Sequence, residues 1–268
     1  MLELNKIYNM DCIDGMKLLD SESIDLVVTS PPYDNLRTYN NSSTWNFDIF
    51  KEVANELYRV LKQGGIIIWV VADATIDGSE TGTSFKQALY FKEIGFNLHD
   101  TMIYQKENYV PLTHNRYEQE FEYMFCFTKG KPKTFNPIKI KCIYGGTQTW
   151  GKSSYYKTSN GDLVSESRMI INEYKIKGNI FSYQTGSKTE TGKYTHPAMF
   201  PLKLAKDQIN SWSNKGDTVL DPFMGSGTTA LACIDLYRNY IGFEIDKSYY
   251  NECIERIETE TAQQRIEL

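Results

Sequence analysis

The stretch GDTVLDPFMGSGTTALACIDLYRNYIGFEID, residues 216–246, decides the fold of this chain. TVLD predicts a strand, PFMGSG a tight turn, TTALACIDL a helix and YIGFEID a second strand. Gly225 and Gly227 allow the backbone of the turn to approach a ligand closely, and the helix start beyond them offers free N–H groups. The stretch therefore predicts a strand–turn–helix–strand unit of an α/β fold with a ligand site at its turn.

The pattern of this turn argues against the two commonest phosphate-binding loops. A Walker loop needs a lysine after its second glycine, but Thr228 follows Gly227. The dinucleotide fingerprint needs a third glycine where this chain has Ala230. Glu244 falls at the end of the second strand, where an acidic side chain can accept hydrogen bonds from both hydroxyls of a ribose. A ribose-bearing cofactor without phosphates, such as S-adenosylmethionine, fits this combination; a purely structural turn with a surface glutamate is the alternative.

Helix and strand patterns alternate along most of the remaining chain. Predicted strands cover about 5–9, 24–29, 65–71, 97–105, 121–127, 217–221 and 239–244. One predicted helix covers 46–61 and is stopped by Gly64-Gly65, and another covers 84–94. Apolar runs without polar alternation are typical of strands that helices cover on both faces. The sequence therefore predicts an α/β fold with a doubly wound, mostly parallel sheet, in which 121–127 is an antiparallel edge strand.

The composition is that of an ordinary globular protein, with 41% hydrophobic and 24% charged residues among 268. The longest apolar run, 66–72, is too short to cross a membrane, and the N-terminus lacks the basic start and apolar core of a secretion signal. Five scattered cysteines and three histidines indicate reduced thiols and no metal centre. We therefore expect a cytoplasmic protein with no membrane partner.

Residues 129–195 lose this periodicity and are rich in Gly, Ser, Thr, Asn and Lys. So long an irregular stretch is unusual inside a compact domain, and we interpret it as an insertion between 1–128 and 196–268. From Lys129 to Lys157 it has seven lysines and no acidic residue, although the net charge of the chain is −5. Aromatic side chains in the same block can stack on bases. The block fits a phosphate-facing surface and a solvated lysine-rich loop equally well.

A second informative stretch, VVTSPPYDNL at 27–36, ends an apolar strand in two prolines. Together, TSPPY (29–33) and DPFMGSGTT (221–229) resemble the catalytic and cofactor motifs of bacterial DNA amino-methyltransferases. Their order resembles the circularly permuted β group of that family, of the restriction–modification type. The resemblance implies a seven-stranded, Rossmann-like methyltransferase sheet, S-adenosylmethionine as cofactor and double-stranded DNA as partner. It also implies that 129–195 is an inserted target-recognition region, with the catalytic domain formed by the rest.

The resemblance further implies a set of cofactor-binding residues. Asp11 and Cys12 would lie against the adenine ring, Asp221 near the α-amino group, and Glu244 on the ribose hydroxyls. The turn residues around the methionine and ribose portion would be Phe223, Gly225, Ser226, Gly227 and Thr228. The segment HPAMFP (196–201) resembles a further cofactor element, in which His196 and Pro197 would close the other side. Many members have a lysine in this element, and its absence here leaves the cofactor carboxylate without that partner.

The chemistry of SPPY can be argued without the resemblance. An exocyclic amine on a base is a poor nucleophile because its lone pair is delocalised into the ring. Acceptors held around its N–H groups favour tetrahedral nitrogen and disperse the developing positive charge. Ser30 Oγ and the Pro31 carbonyl are suitable acceptors. Pro31-Pro32 holds this carbonyl on a rigid backbone because proline has a fixed φ. Tyr33 can stack on a flipped base, so these four residues are the predicted catalytic set; a simple strand-ending turn is the alternative.

Ser30 favours cytosine N4 over adenine N6 as the methylated atom, because the family tends to use aspartate at this position for adenine and serine for cytosine. Adenine N6 remains an alternative, since some adenine enzymes of the β group also carry serine. Methyl transfer to protein or RNA is a more distant alternative, against which the motif order argues. A DNA-binding module without activity is a third.

The resemblance and the charge pattern together predict contacts with DNA. The expected DNA-binding residues are Arg37, Lys133, Lys139, Lys141, Trp150 and Lys152. A cognate restriction endonuclease encoded nearby fits the resemblance as a further partner. A monomer and a homodimer both remain open.

Overall fold

The computed structural model describes residues 2–32, 45–108, 115–147, 154–166, 170–184 and 201–266. Contacts divide the chain into two compact units. Unit 1 comprises Met1–Asn136 and Asn179–Leu268, and unit 2 comprises Pro137–Gly178. The target-recognition region expected at 129–195 is longer than unit 2 at both ends, and its role stays a prediction.

The secondary structure follows the predicted alternation of helices and strands. The strands are β1 Lys6–Tyr8, β2 Ile24–Thr29, β3 Leu61–Val71, β4 Thr75–Ile76, β5 Ser79–Glu80, β6 Asn97–Lys106, β7 Phe121–Thr128, β8 Lys139–Lys141, β9 Ser154–Lys157, β10 Leu163–Glu166, β11 Tyr174–Ile176, β12 Ile180–Tyr183, β13 Thr218–Asp221 and β14 Asn239–Phe243. The helices are α1 Cys12–Lys17, α2 Phe47–Val60, α3 Thr83–Glu93, α4 Leu202–Trp212, α5 Thr228–Asp235 and α6 Lys247–Ile266. Over the described ranges, none of these helices combines the length and apolar character needed to span a membrane.

Unit 1 is built on one eight-stranded sheet with the order β1-β14-β13-β2-β3-β7-β6-β12. Neighbouring strands are parallel, except that β7 runs antiparallel to both β3 and β6. The predicted α/β fold with a mostly parallel sheet is confirmed. The strand count of seven is wrong, because β12 adds an eighth strand beside β6 from within the region predicted as an insertion. The edge position predicted for 121–127 is also wrong, because β7 is hydrogen-bonded on both sides.

Two layers of helices explain the uninterrupted apolar strands. Asn46 precedes α2 and caps it, because its side chain accepts two backbone N–H bonds. α1, α2 and α3 pack over the sheet face that contains Val27, Ile67 and Trp69. α4 and α5 pack on each other and against β2 and β14. Strands covered on both faces need no polar alternation, which is why the sequence pattern predicted them as buried.

The start of β3 differs from the prediction. This strand begins at Leu61, directly after α2, so Gly64-Gly65 lies inside the strand instead of ending the helix. The register of β3 against β2 shifts at this point, as expected of a bulge. Gly64 has φ +78°, and its N–H donates to the Lys129 carbonyl at 2.7 Å. Glycine therefore serves the bulge, because other residues rarely adopt this left-handed conformation.

Unit 2 contains two antiparallel ribbons, β8 with β11 and β9 with β10. Every residue of β8 and β11 is exposed. Ile143 and Tyr144, which follow β8, are also exposed. The described part of unit 2 thus presents lysines together with large apolar side chains to solvent.

Candidate active site

The site forms at the carboxyl ends of four neighbouring strands, β1, β14, β13 and β2. Because these strands are parallel, their carboxyl ends lie at one edge of the sheet, where α/β folds bind ligands. Thr29 ends β2, Asp221 ends β13, and Glu244 directly follows β14. The pairing of β2 with β13 brings the predicted catalytic motif to the predicted cofactor turn, although Thr29 and Asp221 are 192 residues apart in sequence.

Asp221 is the hydrogen-bonding centre of this edge. Its carboxylate is 1% exposed and accepts bonds from Thr29 Oγ1 and Thr229 Oγ1, both at 2.6 Å. The backbone N–H of Phe223 donates to it at 3.0 Å. One carboxylate therefore joins the end of β2, the cofactor turn and the start of α5. Its implied contact with the cofactor α-amino group stays a prediction.

The raised pKa of Asp221 predicts that the free energy of unfolding falls as the pH rises. Burial raises the pKa of this carboxyl from 3.8 to about 6, against the three hydrogen bonds that lower it. Between these values the native protein keeps the proton while the unfolded chain has released it, so the free energy of unfolding falls with rising pH. We expect wild type to lose on the order of 3 kcal/mol relative to Asp221→Asn over this window. Urea unfolding at pH 4 to 7 measures this, and parallel pH curves for the two proteins would contradict it.

Glu244 has both carboxylate oxygens facing backbone N–H groups. Oε2 accepts from Gly225 N at 2.9 Å and Oε1 accepts from Asp246 N at 2.8 Å. Burial raises the pKa of this carboxyl, while these two bonds lower it. Each carboxylate oxygen can accept more than one hydrogen bond. The geometry thus fixes Glu244 beside the glycine turn with acceptor capacity left for ribose hydroxyls.

The glycine turn adopts a backbone that needs glycine. Gly225 has φ +52° and Gly227 has φ +82°, both in the left-handed region. A Cβ atom at Gly227 would lie 2.7 Å from Cys253 Sγ of α6. Gly227 is also the N-cap of α5, and glycine has no side chain that could cap the first N–H groups of the helix. The turn therefore leaves backbone donors for a ligand.

Asp11 and Cys12 stand after β1, at the start of α1. Asp11 Oδ1 accepts from Ile13 N at 2.8 Å and from Asp14 N at 3.3 Å, which caps this short helix. The Cys12 thiol is buried, and desolvation raises its pKa, with the Asp11 and Glu244 carboxylates adding to the effect. Cys12 is thus a neutral, apolar wall of the site near Glu244, as a residue packed on an adenine ring would be.

Phe223 of the cofactor turn belongs to an aromatic cluster. Its ring centroid lies 5.3 Å from that of Trp45 and 6.3 Å from that of Trp69, in edge-on contacts. Trp69 is fully buried in β3. The cluster fixes the side of the turn that faces α2 and β3.

The catalytic motif is described as far as Pro32. Ser30 and Pro32 are partly buried and Pro31 is buried. The predicted site residues that lie outside the described residues are Tyr33, Arg37, Trp150, Lys152, His196 and Pro197.

The predicted DNA-binding lysines fall in both units. Lys133 is an exposed residue of unit 1, and Lys139 and Lys141 are exposed on β8 of unit 2. Lys129, the first lysine of the basic block, is instead buried, with its Nζ donating to two carbonyls and pairing with Glu22 at 3.2 Å. The basic block therefore begins with a lysine that is not available to DNA.

Sequence reasoning missed Trp45, Thr229 and Arg256. Arg256 is 2% exposed and reaches the cofactor turn from α6. Its partner Glu260 stands four residues later, and such pairs usually belong to a solvated helix face. No local pattern distinguishes this buried arginine from an exposed one, so only the packing of α6 reveals it.

A mostly parallel sheet, a glycine-rich turn after one strand and an acidic residue after the next are typical of a Rossmann-like fold that binds a ribose-bearing cofactor. Residues 24–255 match the model of the N6/N4 methyltransferase family, which is described as DNA methylase. The chain belongs to this family of S-adenosylmethionine-dependent DNA amino-methyltransferases, of the restriction–modification type.

Relatives and solved structures support this assignment. The chain is 51% identical to the orphan methyltransferase M.BamHII of Bacillus amyloliquefaciens, over 88% of this chain and 89% of that protein. It is 29% identical to the type II methyltransferase M1.MboII of Moraxella bovis, over 94% of this chain and 96% of that protein. The M1.HpyAVI–SAM complex matches with a TM-score of 0.64 and 25% identity, over 94% of this chain and 98% of that chain. PvuII DNA methyltransferase (cytosine-N4-specific) shares the fold, with a TM-score of 0.67 and 22% identity, over 94% and 85% of the two chains.

The described residues fit S-adenosylmethionine, the cofactor of this enzyme. Glu244 offers carboxylate acceptors suited to a ribose. The left-handed turn of Gly225 and Gly227 leaves backbone donors at the start of α5. The buried Cys12 and the partly buried Phe223 add apolar surface. The individual cofactor contacts stay predictions.

Proposed function

We propose that this methyltransferase methylates the N4 amine of cytosine in double-stranded DNA, at a base flipped out of the helix. The observation that carries the proposal is the 2.6 Å bond from Thr29 Oγ1 to Asp221 Oδ1. It ties the end of β2, and with it Ser30 and Pro31, to the cofactor turn. The serine at the first position of the catalytic motif favours cytosine over adenine, following the tendency of the family.

The proposed catalytic role of Ser30 and Pro31 is to accept hydrogen bonds from the two N–H groups of the target amine. Holding both hydrogens favours tetrahedral nitrogen, so the lone pair becomes available for attack. Pro31 is buried and its φ is fixed by the ring, which makes the acceptor preorganised. When bound, S-adenosylmethionine supplies the methyl group as an electrophile. The two oxygens disperse the developing positive charge, and the mechanism requires no covalent bond between the enzyme and the base.

The proposed base flipping assigns a role to Tyr33. The amine is hidden inside the duplex, and extruding the base costs a few kcal/mol. Stacking on an aromatic ring can recover roughly 1–3 kcal/mol. Tyr33 directly follows the proline pair in the sequence, and we assign this stacking to its ring.

The proposed DNA contacts are electrostatic and aromatic. Exposed lysines on β8, together with Lys133, can neutralise phosphates without reading sequence. Arg37, Lys152 and Trp150 complete the proposed set, the tryptophan as a stacking group. Target recognition is proposed for residues 129–195. Unit 2 lies within this range.

The base choice is tested by the nucleoside that carries the methyl group. Duplex DNA is incubated with the enzyme and isotopically labelled S-adenosylmethionine, digested to nucleosides and analysed by mass spectrometry. We expect labelled N4-methylcytidine in its deoxy form and no labelled N6-methyladenosine in its deoxy form. A parallel reaction with the Gly225→Asp variant controls for contaminating methyltransferases.

The other outcomes separate the alternatives. Label found only on adenine would refute the cytosine assignment while keeping the amino-methyltransferase activity. In parallel reactions with RNA or protein as substrate, label found there and absent from DNA would support the more distant alternative. Binding of both cofactor and DNA without any labelled product would indicate a DNA-binding module.

We further propose the cytoplasm as the site of action, since bacterial DNA is there. A cognate restriction endonuclease is a second proposed partner, because relatives such as M1.MboII are named type II methyltransferases. M.BamHII is named an orphan methyltransferase. Monomer and homodimer are both compatible with the described residues.

A further inference from the structure

Arg256 is a charged side chain buried against the cofactor turn. It lies in α6 and is one of the largest fully buried side chains of the described residues, at 2% exposure. Its Nη1 lies 3.2 Å from each of three acceptors: Ser226 O, Ser226 Oγ and Thr228 Oγ1. Its Nε donates to Glu260 Oε1 at 2.8 Å. The guanidinium therefore connects α6 to the two hydroxyl residues of the turn.

This arrangement places a positive charge behind the turn. Burying an arginine is unfavourable unless the charge is paired and its N–H groups are hydrogen-bonded. Glu260 supplies a carboxylate on one side, and its side chain is 28% exposed. On the turn side Nη1 donates to a carbonyl and two hydroxyls, which carry no formal charge. Part of the positive potential of Arg256 is thus directed toward the turn.

The hydrogen bonds also determine how the hydroxyl groups can act. Because Ser226 Oγ and Thr228 Oγ1 both accept from Arg256, their own hydrogens point away from the guanidinium. The two hydroxyl oxygens are 3.4 Å apart, so one can donate to the other. At least one hydroxyl hydrogen is then left for a further acceptor. A donor backed by a cation prefers an anionic acceptor.

We propose that Arg256 is a positioning residue that orients Ser226 and Thr228 as donors to the carboxylate of S-adenosylmethionine. The carboxylate is the negatively charged group of this cofactor, whose amine and sulfonium are both positive. The start of α5, which glycine leaves uncapped, favours the same charge. Arg256 thereby compensates for the lysine that is missing from HPAMFP (196–201), where Phe200 stands at the lysine position. The inference rests on the proposed assignment of Ser226 and Thr228 to the cofactor.

The test compares two ligands that differ only in the carboxylate. Calorimetry measures the affinity of wild type and Arg256→Met for S-adenosylmethionine and for decarboxylated S-adenosylmethionine. We expect the variant to lose about 10-fold or more in affinity for the intact cofactor. Its affinity for the decarboxylated ligand should change by less than about 2-fold. Equal losses for both ligands, or no loss for either, would overturn the inference.

Two further variants keep the test decisive. Arg256→Met leaves Glu260 without its partner, so the double variant with Glu260→Gln removes both charges and is used if the single variant unfolds. Arg238→Met is the matched control: Arg238 is a buried arginine at the opposite end of β14, bonded to the Ser213 carbonyl at 2.7 Å. It should leave both affinities unchanged even if it lowers the melting temperature. Failure of wild type to bind S-adenosylmethionine would contradict the cofactor assignment itself, which is a separate result.

Discussion

The Gly225→Asp variant is expected to lose S-adenosylmethionine binding by at least about 100-fold while remaining folded. The N–H of Gly225 lies 2.9 Å from Glu244 Oε2, so a new carboxylate on this residue would stand beside an existing buried one. An uncompensated buried charge costs roughly 3–5 kcal/mol. This cost is larger than the free energy that corresponds to a 100-fold change in affinity. The φ of +52° adds strain for any residue with a Cβ atom. Calorimetric titration with the cofactor measures the loss.

Gly216→Asp is the control for this substitution. Gly216 has φ +85°, and no heavy atom lies within 4 Å of the position that a Cβ atom would take. It precedes β13, at the opposite edge of the sheet. The two variants share the residue change and the left-handed backbone, but only Gly225 touches Glu244. We expect Gly216→Asp to bind the cofactor like wild type. If both variants bound the cofactor normally, the turn would not be its site.

The Ser30→Ala variant is expected to slow methyl transfer roughly 100- to 1000-fold, the usual effect of removing one preorganised hydrogen-bonding group from a transition state. Ser30 follows Thr29, whose link to Asp221 does not involve the Ser30 hydroxyl. The cofactor turn should therefore keep its structure, and the affinity for S-adenosylmethionine should stay within about 2-fold of wild type. Single-turnover rates on duplex DNA and calorimetry measure the two quantities separately.

Ser23→Ala provides the matched control for Ser30. Ser23 precedes the same strand at its amino end, where its Oγ donates to the Asp20 carbonyl at 2.7 Å. Removal of this hydroxyl should lower stability slightly and leave the transfer rate unchanged. A Ser30→Ala enzyme with full activity would refute the acceptor role. A parallel loss of cofactor affinity would show that Ser30 supports the cofactor site instead.

Much of the fold could be predicted because its signals are local. A strand covered on both faces reads as a continuous apolar run, and a helix such as α2 shows its buried face at every third or fourth residue. The positions of β2, β13, β14 and α2 therefore follow from neighbouring residues. The glycine turn is equally local, because a left-handed backbone restricts the residue at that point to glycine.

Other features of the fold depend on which segments become neighbours. Residues 121–127 are recognisable as a strand, but their place between β3 and β6 is a matter of sheet order. β12 is four residues long and lies in a stretch with little periodicity, so its pairing with β6 has no local signal. The bulge at Gly64 likewise arises from the register between β3 and β2.

The same distinction between local and tertiary features applies to the candidate site. By itself the sequence determined which chemical groups the site can offer: the serine and prolines after β2, the glycines of the turn after β13 and the acidic residue after β14. Tertiary structure alone decided their connections, because Thr29 meets Asp221 across 192 residues and Arg256 meets Ser226 across 30. Bonds of this kind form between groups that strand pairing and helix packing bring together. The sequence around one partner contains no signal that identifies the other.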